Sequence, residues 1–239
     1  MDNRLKEIAQ NLDKLKIGPD DTFSFGCTLC GKCCINREDI LLNPKDVYGI
    51  AGKLGITPTE VLKEYCEAYI GADSRIPIVR LQPRGIVKRC PFLKERKCSI
   101  HEAKPTVCAT FPIGRCLVND TDKTEGFKPE DIIYILTDPM CGDKSEKHIV
   151  REWLEGFNIP LNDEFFIKWQ ETVLGTSIVL RELEKAMEPD TMQTIWDVAL
   201  LMLYVDYDTK EEFMPQFERN RERLSVKMGE LLEIGNEDR

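Results

Sequence analysis

The segment "CTLCGKCC" places four cysteines within eight residues, from Cys27 to Cys34. Cys27, Cys30 and Cys33 follow a C-x2-C-x2-C spacing, which lets one loop point three thiolates at a common centre. The bacterial ferredoxin run binds a [4Fe–4S] cluster with this spacing. Cys34 directly follows Cys33, and neighbouring side chains usually diverge, so we expect Cys34 to face a second site. The run predicts a metal site rather than a small apolar core or a disulfide knot.

A second group of cysteines, Cys90, Cys98 and Cys108, lies in "CPFLKERKCSIHEAKPTVCATFP". Cys90 precedes a proline, which stiffens the chain and removes a backbone N–H. This makes Cys90 a candidate for the remote fourth ligand of the first centre. The spacing is that of neither a zinc finger with paired C-x2-C knuckles nor a thioredoxin C-x-x-C motif.

Basic residues surround the second group, and they either form a solvated loop or assist the thiols. In the second case they would lower the pKa of the thiols and help to hold an anionic thiolate site. These residues are Lys88, Arg89, Lys94, Arg96 and Lys97.

The combined motifs "FGCTLCGKCC", "CPFL", "KCSIHEAKPTVCATFP" and a later "CG" resemble the YkgJ-type cysteine-cluster proteins, a family described as a zinc- or iron-chelating domain. The resemblance covers about residues 23–145 and implies metal binding by eight cysteines at matched positions. These are Cys27, Cys30, Cys33, Cys34, Cys90, Cys98, Cys108 and Cys141. The chain departs from the family at Lys104 and Ala109, where arginine is usual, and at His101, where an aromatic residue is usual.

The resemblance does not determine which metal is bound or how many centres there are. Eight matched cysteines make two sets of four, which allows two [4Fe–4S] clusters, two zinc ions, or one cluster with four thiols in other roles. Soft thiolates accept either metal. The ferredoxin-like first run favours one or two iron–sulfur clusters, and zinc is the alternative.

The family also includes flagellin lysine N-methylase-like members, which implies a third hypothesis. Such an enzyme would use S-adenosylmethionine and a protein lysine. The residues give this hypothesis little support, because no glycine-rich loop after a predicted strand suggests a Rossmann-type cofactor site. The first cysteine run also departs from the C-x3-C-x2-C spacing of radical enzymes.

The leading hypothesis is therefore a cytoplasmic iron–sulfur protein that acts in electron transfer, redox sensing or cluster-dependent chemistry on a protein partner. A zinc-binding structural or metal-handling protein is the second hypothesis, and the methylase is the third. The sequence shows no recognisable set of catalytic acid and base residues. Whether the protein is an enzyme therefore stays open, and we name no catalytic residue.

Composition is typical of a globular protein, with 42% hydrophobic and 31% charged residues. The longest apolar run, "VALLMLYV", is far shorter than the roughly 20 residues of a membrane span. The first residues lack the apolar stretch of a secretory signal, so we expect a cytoplasmic protein with reduced thiols and no membrane partner. From Arg151 onward, 10 basic residues face 20 acidic ones, which argues against nucleic-acid binding.

The elements that must position the cysteines are short before residue 145 and helical after it. We expect an α+β fold with a cysteine-rich module of short strands and helices over residues 1–145 and an acidic, mainly α-helical region over 146–239. The predicted helices cover 3–16, 44–54, 57–71, 145–157, 162–187, 190–205 and 210–233. The predicted strands are two within 76–93, joined by a turn at 83–85, and one over 131–138.

Residues outside the matched set have simpler expectations. Cys66 shares a predicted helical face with Leu62, Tyr65 and Tyr69, so we expect a buried core thiol. Cys116 is expected to be a core or redox-accessible thiol, His101 a packed or exposed side chain, and His148 a surface residue on a helix. The tryptophans are expected in the helical core; they are Trp153, Trp169 and Trp196.

Overall fold

The computed structural model describes residues 10–28, 30–35, 40–117, 126–139 and 141–237, with side chains as far as residue 234. Helices and short strands in small sheets are mixed, and the C-terminal part is helical, which confirms the predicted fold class. The helices are α1 (Leu12–Leu15), α2 (Pro44–Leu54), α3 (Pro58–Tyr65), α4 (Thr106–Thr110), α5 (Val150–Glu155), α6 (Glu164–Ala186), α7 (Pro189–Leu200) and α8 (Phe213–Glu237).

The strands are short and pair only in antiparallel fashion within the described residues. They are β1 (Lys16–Ile17), β2 (Thr22–Gly26), β3 (Leu41–Leu42), β4 (Cys66–Ile70), β5 (Pro77–Leu81), β6 (Leu93–Lys94), β7 (Lys97–Cys98), β8 (Ile113–Leu117), β9 (Ile132–Leu136) and β10 (Asp143–Ile149). They form four sheets with the orders β1-β9-β8, β10-β2, β3-β5-β4 and β6-β7.

The helices α2 and α3 begin and end where their sequences predict. Asn43 and Thr57 each cap a helix through a capping box, with a proline in the first turn. Gly55 ends α2 in the left-handed conformation, with φ of 67°. The predicted strand over 131–138 is confirmed as β9, and the three long C-terminal helices are confirmed as α6, α7 and α8. A π-helical turn, Leu201–Val205, extends α7.

Two predicted helices were wrong in part, because residues with helical spacing pair instead with a strand elsewhere in the chain. The predicted helix over 57–71 ends at Tyr65, because β4 pairs along β5 from Cys66 to Ile70. The predicted helix over 145–157 is a strand as far as Ile149, because β10 pairs with β2. Of the predicted helix over 3–16, residues 3–9 lie outside the described ranges, and α1 is one turn long.

The second of the two strands predicted within 76–93 is largely absent. The chain forms β5 and then a turn closed by a single bridge between Arg84 and Arg89. Only Leu93 belongs to a further strand of that stretch, at the start of β6.

The cysteines pack against two separate hydrophobic cores. The first is built around Val47, Val79, Leu180 and Phe217, and Cys90, Cys98 and Cys108 pack against it. The second joins β2, β8, β9 and α5, and Cys141 packs against that one. Each core contains residues from both sides of residue 145, and the division into two domains stays a prediction.

Among the described residues, none of the helices combines the length and the apolar character that crossing a membrane would require.

Candidate metal centre

The first cysteine run lies in a loop that leaves the end of β2 and turns back on itself. Gly31 adopts a left-handed conformation with φ of 75° and precedes a 3-10 turn, Lys32–Cys34. The Sγ atoms of Cys33 and Cys34 lie 3.7 Å apart. The expected divergence of these neighbours was therefore wrong, because they lie in a tight turn and not in an extended chain, where alternate side chains face opposite sides.

The second cysteine group is attached to the first run through the backbone. The amide of Cys90 donates a hydrogen bond of 2.8 Å to the carbonyl oxygen of Cys34, and the amide of Leu93 bonds the carbonyl of Cys90. Cys98 pairs with Leu93 across the β6-β7 hairpin. The backbone bond thus holds Cys90 beside Cys34, and the hairpin fixes Cys98 opposite Leu93.

A buried carboxylate positions the helix that carries Cys108. Oδ1 of Asp46 accepts hydrogen bonds from the amide and the hydroxyl of Thr106, at 2.8 and 2.7 Å. Its other oxygen accepts from the amide of Asn43 in the capping box of α2. Burial raises the pKa of Asp46. Our sequence reasoning identified the Asn43 cap but missed Asp46, although its place three residues after the cap was visible.

The β2-β10 pair brings Cys141 to the first run. Asp143 pairs with Gly26, and Gly142 has φ of 71°, where a Cβ atom would lie 2.5 Å from the carbonyl oxygen of Gly26. Charge on Cys33, Cys30 and Cys27 acts on the Cys141 thiol. Residues far apart in sequence therefore meet at the end of one strand pair.

His148 supports the same strand pair from the side. Its Nε2 lies 2.8 Å from the carbonyl oxygen of Phe25, and its ring centroid lies 4.6 Å from that of Trp153. The expectation of a surface histidine on a helix was wrong, because this residue belongs to β10 and packs among aromatic rings.

Cys33 interacts electrostatically with most of the other matched cysteines. Six other thiols are close enough to Cys33 for charge on its sulfur to act on them. They are Cys30, Cys34, Cys90, Cys98, Cys108 and Cys141. Cys27 is exposed at the rim and interacts with Cys141. The structure therefore brings all eight sequence-predicted cysteines into one region.

The pKa values of these thiols are raised rather than lowered in most cases. Burial is the largest cause of the raised pKa of Cys90, Cys98 and Cys108, and it raises the pKa of Cys141 to about 11. For Cys34 the hydrogen bond with Cys33 is the largest cause of a raised pKa. Of the two interpretations of the basic residues around the second group, the exposure of Lys88, Arg89, Lys94, Arg96 and Lys97 agrees with a solvated loop.

Cys30 is the exception. The backbone N–H of Lys32 hydrogen-bonds its sulfur and lowers the pKa of Cys30. The thiolate form, which binds metals, is therefore favoured at this position.

Lys104 is a cation that lies among the thiols. Burial lowers the pKa of Lys104, while negative charge on Cys108 and Cys98 acts in the opposite direction. Its Nζ lies 4.0 Å from the ring centroid of Phe157, which holds the side chain over an apolar surface. A positive charge at this place would offset negative charge on nearby thiolates.

The cysteines outside the matched set lie apart. Cys66 is buried in β4, which confirms a core thiol, and burial raises its pKa to about 12. Cys116 is half-buried in β8, opposite Ile133. His101 is exposed in a 3-10 turn. The tryptophans lie in helices; Trp169 is buried, and the other two are half-buried.

The donor set fits zinc or iron, since every gathered ligand is a soft thiolate. Within the described ranges, however, no three histidine, cysteine, aspartate or glutamate side chains already converge closely enough to hold one ion. Binding would therefore require the side chains to turn inward, and such coupling between metal binding and local ordering is common.

Residues 26–132 match the model of the CxxCxxCC family, described as "Putative zinc- or iron-chelating domain". This match confirms the resemblance found in the sequence and supports metal binding. It covers less than half of the chain and ends before Cys141.

An uncharacterized protein of Methanocaldococcus jannaschii is 31% identical over 91 residues, which are 37% of this chain and 44% of that protein. The chain thus spans less than half the length of this relative. No solved structure matches the chain.

Proposed function

We propose that this chain is an iron–sulfur protein with two metal centres and a redox, sensing or cluster-dependent role on a protein partner. The observation that carries the proposal is the meeting of thiols from several separate segments around Cys33. Eight thiols are enough for two complete sets of four ligands.

The first centre would use Cys27, Cys30 and Cys33 of the loop, with Cys141 as the fourth ligand. We assign Cys141 to this place instead of Cys90 because charge on all three loop cysteines acts on the Cys141 thiol, and because the backbone of Cys90 is bonded to Cys34. The C-x2-C-x2-C spacing supports a [4Fe–4S] cluster at this centre.

The second centre would use Cys34, Cys90, Cys98 and Cys108. Support comes from the backbone bond between Cys90 and Cys34 and from the electrostatic contact of Cys108 with Cys90 and Cys98.

A bound cluster would supply one-electron chemistry. The chain's own residues would set its surroundings. Lys104 would offset negative charge, and the two cores would exclude water from one side of each centre. Solvent exposure and nearby charge both affect the reduction potential of such centres.

The test is anaerobic purification followed by iron, sulfide and zinc analysis, a visible spectrum, and electron paramagnetic resonance after chemical reduction. We expect a brown protein with equal amounts of iron and acid-labile sulfide. A colourless, sulfide-free protein with stoichiometric zinc would overturn the iron–sulfur proposal.

A zinc protein is the second candidate, because one distance favours it. With Zn–S bonds of about 2.3 Å, the edge of a tetrahedral ZnS4 site is about 3.8 Å. The Cys33 and Cys34 sulfurs are 3.7 Å apart, which suits two ligands of one ion. In a [4Fe–4S] cluster each thiolate binds a different iron, which favours wider spacing. The metal analysis above distinguishes the two candidates.

A further inference from the structure

Residues 84–97, here called the basic finger, carry exposed charged and apolar side chains that the proposed metal centres do not explain. The finger carries six cations and one acid. The cations are Arg84, Lys88, Arg89, Lys94, Arg96 and Lys97, and all six are exposed. Phe92 and Leu93 anchor the finger, since both are buried.

The outer turn of the finger presents apolar side chains to solvent. Ile86 is fully exposed, at 102%, and Val87 is 55% exposed. The bridge between Arg84 and Arg89 holds them at the end of a closed turn. An apolar tip enclosed by arginine and lysine has the composition of an interface centre with a charged rim.

The backbone of both turns is held in a conformation that is unfavourable for its residues. Lys88, Glu95 and Arg96 have φ of 45°, 48° and 63°. The β6-β7 turn therefore has the left-handed geometry usually given to Asn-Gly, but it carries Glu-Arg. Strained non-glycine residues concentrate at functional sites. Here they keep charged side chains where glycine would offer none.

The charge distribution restricts which partner fits the finger. The whole chain has a net charge of −9, and the part from Arg151 onward accounts for −10. A long polyanion such as DNA, or a wide anionic membrane, would meet this acidic surface as well as the finger. A small acidic protein would be attracted to the finger and repelled by the acidic helical region.

The position of the finger indicates what such a partner would do. Cys90 and Cys98 both lie within it, so a protein docked there sits next to the proposed second centre. We propose that the basic finger is the docking surface for a small acidic electron-transfer protein. This inference rests on the proposed redox function for the kind of partner.

The experiment measures binding of the full-length, metal-loaded chain to an acidic plant-type [2Fe–2S] ferredoxin and to an acidic flavodoxin by calorimetry at low salt. We expect saturable binding to at least one carrier, with affinity that falls as salt is added. The double variant Lys88→Glu/Arg89→Glu and the single variant Ile86→Asp should each weaken binding at least tenfold.

Matched controls make the same changes elsewhere. Lys185→Glu/Lys227→Glu changes the net charge by the same amount on the helical region. Val226→Asp replaces an exposed apolar side chain there, since Val226 is 57% exposed. Both controls should bind as the unmodified chain does. The double variant changes residues next to Cys90 and could lose metal for that reason. Ile86→Asp tests the finger independently, because Ile86 is further from Cys90 along the chain.

Two outcomes would overturn the docking proposal. One is absence of binding to both carriers by a fully loaded chain, and the other is equal weakening by finger and control variants. Binding to duplex DNA or to phosphatidylserine vesicles that is stronger than binding to either carrier would also overturn it. A zinc-loaded, sulfide-free chain that still binds through the finger would instead overturn the iron–sulfur proposal alone.

Discussion

The backbone amide of Cys90 donates a hydrogen bond of 2.8 Å to the carbonyl oxygen of Cys34. This bond connects the two cysteine motifs directly, without any side chain. The position of the second motif relative to the first is therefore built into the chain before a metal binds.

Removing ligands should lower the metal content, while removing a core thiol should not. We expect Cys30→Ser and Cys90→Ser each to lose about one centre, because hydroxyl groups are poor ligands for soft metals. Metal analysis of purified variants checks this. Cys66→Ser is the control: it should keep its metal but unfold more easily, since its hydroxyl is buried. Unchanged metal in both ligand variants would contradict our ligand assignment.

Gly142→Ala should detach Cys141 from the first centre. The new Cβ would meet the carbonyl oxygen of Gly26 at 2.5 Å, and φ of 71° is unfavourable for alanine. We expect a loss of stability of about 1–3 kcal/mol and a lower metal content. Urea unfolding and metal analysis measure both. Gly175→Ala serves as the control, because nothing lies within 4 Å of its Cβ position in α6; it should be neutral or slightly stabilising.

Lys104→Met should weaken metal binding because it removes the positive charge among the thiols while keeping the apolar stem over Phe157. We expect faster metal loss to a chelator, by about tenfold or more. Lys104→Arg should behave nearly as the unmodified chain does, since it retains the charge. Equal metal loss from both variants would show that shape, and not charge, matters at this position.

Asp46 should make stability depend on pH in a definite direction. Burial raises its pKa above the value of about 3.9 in an unfolded chain. The folded chain therefore holds a proton that the unfolded chain has lost, and stability falls as pH rises from about 4 through the folded pKa. The unmodified chain should therefore lose its stability advantage over Asp46→Asn as the pH rises.

A series of urea unfolding curves at several pH values tests the Asp46 prediction. Glu60→Gln is the control with the opposite sign, because hydrogen bonds from Thr57 lower the pKa of Glu60. The loss in Glu60→Gln should grow as pH rises. A loss in Asp46→Asn that also grows would contradict the burial argument.

Local signals in the sequence were enough to predict the capped helices. Asn43, Thr57 and Gly55 act within a few residues of their own positions, so their pattern is complete in a short window. The C-x2-C-x2-C run is local in the same sense, and the candidate site was predictable from it.

Long-range pairing could not be predicted from spacing. Residues 143–149, "DKSEKHI", carry mostly polar side chains and no apolar alternation, so nothing local indicates a strand. Their partner β2 lies more than a hundred residues away, and the pairing depends on tertiary packing of His148 and Trp153. The same pairing determines that Cys141 meets Cys30.

The β2-β10 pair also sets an order of events during synthesis. Nine of the ten cysteines precede Cys141 in the chain, so they leave the ribosome before β10 does. Until β10 pairs, Cys141 is not held beside the first cysteine run. Closing so long a loop carries an entropic cost that only the finished pair offsets. If Cys141 is a ligand of the proposed first centre, that centre is complete only after residues 143–149 have emerged and paired with β2.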